Sequence, residues 1–215
     1  MPQRTRIKIC GLTREADVDA AVEAGADAIG FVFYDKSPRF IDIDRAAALA
    51  RRLPPFVMPV GLFVNAPLDH IEASARAIPG LALQFHGDEN PGDCRAPARP
   101  YLRAVRMAPG LDLLDFALRY PDAQALLLDA HVEGYGGGGK VFDWSLIPRN
   151  VPRPVVLSGG LHAGNVIEGI LRVRPWAVDV SSGVEAAKGI KDAGAISRFC
   201  EAVREADARI ASSEA

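Results

Sequence analysis

Cysteine is scarce in this chain: 215 residues contain three, at positions 10, 94 and 200. An odd number without metal-ligand spacing excludes a disulfide framework and a thiolate metal knuckle, and it suits a reduced, cytoplasmic protein. Long apolar runs are also missing. No stretch approaches the ~20 residues that span a bilayer, and the polar start, Met1 to Arg6, lacks a signal-type apolar core. Neither sign of charge prevails. A formal net charge of -2 gives no basis for nucleic acid or an anionic membrane as partner. Any phosphate must therefore be held by a local site. No low-complexity linker divides the chain, and with 49% hydrophobic residues it can bury a core. We expect one catalytic domain over residues 1–215.

What is present is repetition. Short apolar runs recur at Ile7 to Cys10, Ala28 to Phe33, Pro59 to Asn65, Leu81 to His86, Tyr101 to Met107, Ala125 to Asp129, Pro154 to Gly160 and Trp176 to Gly183. Helical periodicity fills most gaps: Arg14 to Ala24, Asp44 to Leu53, Asn65 to Ala77, Leu111 to Tyr120, Gly164 to Val173 and Asp192 to Ala208. Asn65-Ala66-Pro67 reads as a cap with proline in the first turn of its helix. Two crossovers are weak. Asp88 to Arg95 holds a proline and a glycine, and Asp143 to Ile147 is hardly more than a turn. The tail from Ile210 is expected to fray. Strand-helix alternation implies parallel strands, since each crossover needs a covering helix. Eight units predict an α/β fold, a single parallel eight-stranded (βα)8 TIM barrel, near the ~200-residue floor for such barrels.

In that barrel the strand C-termini share one mouth, and alternate residues face inward. On the first strand Ile7 and Ile9 suit the helices, so Lys8 and Cys10 point in. An inward lysine needs a counter-charge. Asp179, on the neighbouring eighth strand, is the candidate. A lysine beside Cys10 is expected to lower the thiol pKa. Asp129 closes Leu126-Leu127-Leu128 at the mouth, where a carboxyl suits general-acid work once its pKa is raised. Ser158-Gly159-Gly160 and Ser181-Ser182-Gly183 follow strands seven and eight, the usual place for phosphate in barrels. Their bland alternative is plain turn glycine. Arg39, in the loop after strand two, is suited to clamp a carboxylate. Its bland alternative is a solvated arginine. His86, inward with Gln84, is a candidate substrate-binding residue that either orients the substrate or satisfies a core hydrogen bond, and the supporting role is favoured. Gly134 to Lys140 imitates a nucleotide loop, but Val141 replaces the Ser/Thr needed for magnesium.

Taken in order, Lys8-Ile9-Cys10-Gly11-Leu12-Thr13, Ser37-Pro38-Arg39, Val60 to Asn65, Gln84-Phe85-His86-Gly87, Leu128-Asp129, Phe142-Asp143-Trp144, Ser158-Gly159-Gly160-Leu161, Asn165-Val166, Asp179 to Glu185 and Gly189-Ile190-Lys191-Asp192 form one pattern. Together they resemble the phosphoribosylanthranilate isomerase family of tryptophan synthesis over nearly the whole chain. The resemblance implies an Amadori rearrangement of N-(5-phosphoribosyl)anthranilate. Asp129 would be the general acid and Cys10 the general base. Arg39 would meet the anthranilate carboxylate, and Gly160, Ser182 and Gly183 the phosphate. It implies no metal and no organic cofactor; the only partner is the small phosphosugar-anthranilate substrate. A monomer and a homodimer are both compatible. One departure is Gly138, which stands where the family usually has threonine and is expected to loosen the loop after strand six.

Two rivals are weaker. The aminoimidazole phosphosugar isomerase of histidine synthesis resembles two half-barrels with aspartates on strands one and five. Here strand one ends in Cys10, and Arg103 to Met107 contains no aspartate. A non-catalytic phosphate-binding barrel would need neither Cys10 nor Asp129.

Overall fold

Eight parallel strands close on themselves in chain order in the computed structural model, which describes residues 4–130 and 141–213. The glycine run at 136–139, with the Gly138 departure, lies outside the described residues. The strands are β1 (Arg6–Cys10), β2 (Ala28–Val32), β3 (Met58–Phe63), β4 (Ala82–Phe85), β5 (Tyr101–Met107), β6 (Ala125–Ala130), β7 (Val155–Leu157) and β8 (Ala177–Val180). Each corresponds to one apolar run. Several stop one to three residues earlier at the C-terminal end, because the residues there turn into the functional loops.

Period-two alternation sorts the core into two layers. Outward residues Ile7, Ile9, Ile29, Phe31, Phe63, Leu83, Phe85, Leu126, Leu128, Val178 and Val180 pack with the helices in one large cluster. Inward residues Ala104, Ala125, Leu127, Val156 and Ala177, with Leu102 against them, plug the barrel. The polar residues Lys8, Asp179, Gln84 and Ser158 are nevertheless buried in the same interior.

The covering helices are α1 (Glu15–Glu23), α2 (Ile43–Ala50), α3 (Leu68–Ala77), α4 (Pro91–Arg95), α5 (Leu113–Arg119), α6 (Val166–Val173) and α7 (Ala193–Ser213). The weak crossovers are short. Asn90 and Asp93 form a reciprocal cap at the start of α4, which spans only five residues. Between β6 and β7 the described residues hold a single 3-10 turn, Trp144–Leu146, started by Asp143 accepting from the Ser145 N–H. Trp144 is buried, with its ring beside Gly169 of α6.

Two local expectations are corrected. The C-terminal helix does not fray at Ile210; α7 runs to Ser213, with Ile210 packed on the core and Arg209 paired to Glu205 one turn back. Asn65 does not cap α3. It takes a left-handed φ of 50°, and its Oδ1 accepts from the Asp88 N–H at 2.7 Å, tying the end of β3 to the loop after β4. After β8, a short hairpin of β9 (Glu185–Ala187) and β10 (Ile190–Lys191) precedes α7.

Candidate active site

Lys8 and Cys10 share the inner face of β1, and the register places Lys8 directly beside Asp179 of β8. The ammonium donates to Asp179 Oδ1 at 2.8 Å, and the Ser158 hydroxyl donates to Oδ2 at 3.3 Å. Lys8 and Asp179 are each 5% exposed. Removing one member of such a pair strands the other charge, a loss of about 3–5 kcal/mol. Burial opposes the charge on Lys8, but Asp179 and the nearby sulfur outweigh it and hold the ammonium above the ordinary lysine range.

Cys10 corrects an expectation. Lys8 does pull its pKa down, yet burial pushes harder, and the thiol lies above its ordinary value. Desolvation of a thiolate at a 4% exposed position outweighs one nearby ammonium already paired with Asp179. Room for this arrangement comes from Gly30 on β2. A Cβ there would meet Cys10 Sγ at 2.7 Å and Lys8 Nζ at 3.0 Å.

Across the mouth, Asp129 on β6 is 7% exposed. Its Oδ1 accepts from the Ala130 N–H at 2.9 Å, and Oδ2 lies 3.1 Å from His86 Nε2. His86 Nδ1 is in turn 3.2 Å from Gln84 Nε2, so Gln84, His86 and Asp129 form one buried chain. The chain bridges two strands separated by β5, running from Gln84 on β4 to Asp129 near the end of β6, and gives the carboxyl a fixed orientation.

The loops after β7 and β8 pack on each other. A Cβ at Gly183 would fall 1.9 Å from the Leu161 carbonyl oxygen, so only glycine permits the approach. Asn165 fastens the first loop, donating to the Gly160 carbonyl at 3.0 Å while accepting from the His162 N–H at 2.9 Å. Ser182 opens a 3-10 turn over Ser182–Val184. These are glycine-bearing backbone segments at adjacent strand ends, a geometry suited to phosphate oxygens.

Arg39 is buried, not a solvated surface residue, at 8% exposure. Its Nε and Nη2 donate to the two oxygens of Glu185 at 2.7 and 2.8 Å. Glu185 also accepts from Lys191 Nζ at 2.9 Å, and its carboxyl is held below the ordinary range because these cations outweigh its burial. Neither Glu185 nor Lys191 stands out by residue type or spacing; the signal was their place in two of the quoted motifs. A second missed group is the buried pair of Arg103 on β5 and Glu89 after β4. Arg103 donates to the Phe85 and Gly87 carbonyls at 2.9 Å each, bracketing His86. A charged residue in the middle of a buried strand was the available clue.

Comparison with known proteins agrees with this geometry. The family model for N-(5'-phosphoribosyl)anthranilate isomerase matches residues 7–202. The isomerase of that name from Methylibium petroleiphilum is 74% identical, over 98% of this chain and 99% of its own length. The one from Dechloromonas aromatica is 63% identical, over 96% and 100%. Among solved structures, the phosphoribosyl anthranilate isomerase of Thermotoga maritima superposes with a TM-score of 0.87 at 45% identity, covering 94% of this chain and 99% of that one. Another, in complex with reduced 1-(o-carboxyphenylamino)-1-deoxyribulose 5-phosphate, superposes with a TM-score of 0.84 at 42% identity over the same shares. Matches of this extent, on a closed barrel of this order, leave one assignment: the chain belongs to the N-(5'-phosphoribosyl)anthranilate isomerase family.

Proposed function

We propose that this isomerase of tryptophan biosynthesis carries out the Amadori rearrangement of N-(5'-phosphoribosyl)anthranilate with Asp129 as general acid and Cys10 as general base. Asp129 gives a proton to the furanose ring oxygen; the C1–O bond breaks and the nitrogen lone pair forms a Schiff base at C1. Cys10, as thiolate, removes the C2 proton, and the electrons flow to the nitrogen, giving an enolamine. Tautomerisation then returns a proton to C1 and leaves the C2 ketone of 1-(2-carboxyphenylamino)-1-deoxyribulose 5-phosphate. No net proton is consumed.

The observation that carries this reading is the pair of buried proton carriers at the ends of β1 and β6, each backed by its own network: Lys8 and Asp179 behind Cys10, His86 and Gln84 behind Asp129. Arg39 supplies a guanidinium for the anthranilate carboxylate, and Gly160, Ser182 and Gly183 supply the phosphate cradle. The whole chain acts as one barrel unit in the cytoplasm, where its free thiols stay reduced.

Anthranilate fluorescence follows the reaction directly. Cys10→Ala and Asp129→Asn are each expected to lower turnover by at least ~10²-fold, the lower range for loss of a general acid or base. Turnover within a few-fold of the unsubstituted enzyme in either variant would remove that residue from its role.

A further inference from the structure

We infer that Glu185 is a positioning residue for substrate recognition: it aims the Arg39 guanidinium at the substrate carboxylate and, through Lys191, joins that clamp to the loop after β8. The inference rests on the carboxylate-clamp role given to Arg39 above. A guanidinium has five N–H donors in one plane. Glu185 takes Nε and one hydrogen of Nη2, in the paired geometry that fixes the plane of the fork. The Nη1 edge and the second Nη2 hydrogen are then directed by Glu185 rather than by the flexible stem of the arginine.

Glu185 is itself fixed from two further sides. Lys191 Nζ donates to it at 2.9 Å, and the Gly189 N–H at 3.3 Å. Lys191 Nζ also donates to the Ser181 carbonyl at 3.0 Å, immediately before the Ser182-Gly183 phosphate segment. The hairpin that carries both residues is anchored to the β1 loop by Thr13 Oγ1 donating to the Gly189 carbonyl at 3.0 Å. Loops after β2 and β8 thus meet at one carboxylate, and the loop after β1 holds the hairpin that carries it. Charge counting agrees with an anionic ligand. Arg39 and Lys191 carry two positive charges against one on Glu185, and the nearby Lys8–Asp179 pair is neutral. While Cys10 is a neutral thiol, the buried cluster retains one positive charge for a substrate carboxylate to neutralise.

The test compares two substrates, N-(5-phosphoribosyl)anthranilate and its carboxyl-free analogue N-(5-phosphoribosyl)aniline, on Glu185→Gln, Glu185→Asp, Arg39→Ala and the Arg39→Ala/Glu185→Gln double variant. For the carboxylated substrate, Glu185→Gln is expected to raise KM on the order of tenfold, the loss of one charge-assisted hydrogen bond's worth of aim, with kcat within a few-fold. For the aniline substrate, the variant and the unsubstituted enzyme should differ by less than threefold. The double variant should match Arg39→Ala alone, because a residue acting through Arg39 has nothing left to aim. Glu185→Asp keeps a counter-charge for Lys191, so it serves if Glu185→Gln fails to fold; its shorter reach should still raise KM for the carboxylated substrate selectively. Equal losses on both substrates, or additive effects in the double variant, would overturn the positioning role while leaving the clamp intact. If Arg39→Ala itself leaves KM unchanged, the clamp reading fails instead.

Discussion

At the residue scale, burial is the deciding force. Cys10 has the lysine neighbour expected of an activated thiol, and its pKa still moves upward because the sulfur is desolvated. A base must lose its proton before it acts, so a raised pKa moves the active form to higher pH. We therefore expect kcat/KM to climb along a limb lying above the ordinary thiol value. Lys8→Met should displace that limb further upward, since it removes the ammonium and leaves Asp179 as an unpaired negative neighbour. A limb at or below the ordinary thiol value, in a pH–rate profile of the unsubstituted enzyme, would count against Cys10 as the base. The Lys8–Asp179 contact was readable beforehand, because period two and barrel closure put those residues side by side. The Glu185–Arg39 contact was not. Both residues sit on loops, and loop geometry has no period to read.

Among elements, glycine and proline placement mattered more than helical propensity. The α4 segment is short because Asn90-Pro91 opens it and Pro97 follows soon after Arg95. The described part of the crossover to β7 holds only a 3-10 turn, with the Trp144 ring buried beside Gly169 of α6. Strand packing gives a direct prediction. Gly30→Ala inserts a methyl group 2.7 Å from Cys10 Sγ and 3.0 Å from Lys8 Nζ, between two groups held by strand backbone. Overpacking of this kind costs about 1–3 kcal/mol. Thermal denaturation should show that loss, and the assay a lower kcat, as Cys10 is pushed from its place. A variant with unchanged Tm and kcat would mean the inner face of β1 is looser than these contacts imply.

Over the whole molecule, the three thiols are buried and free. Burial pushes Cys94 up to about 12 and Cys200 up to about 11. In the unfolded chain both ionise near their ordinary value of 9.0, so above that pH the unfolded state gives up protons that the folded state keeps. Stability is unaffected by these groups below pH 9, and falls as pH rises from there toward about 11 and then about 12. A Cys94→Ala/Cys200→Ala variant should lose some stability at every pH through its cavities. Its Tm should nevertheless decline less steeply between pH 9 and 11. Parallel curves for the two proteins would show that these thiols do not set the alkaline limit.

Hydrophobic periodicity and the order of the apolar runs determined the barrel, the strand order and which side of β1 faces inward, because those follow from local alternation and from chain closure. Side-chain chemistry at strand ends marked Cys10, Asp129, Arg39 and the two glycine loops as candidates. Tertiary structure alone decided how they are held: the upward shift of the Cys10 pKa, the His86 contact on Asp129, the carboxylate of Glu185 gripping Arg39 and the hairpin that carries it. Each depends on groups far apart in the chain being brought into a water-poor space. Desolvation and hydrogen-bond direction are properties of that space and are not encoded in any single segment.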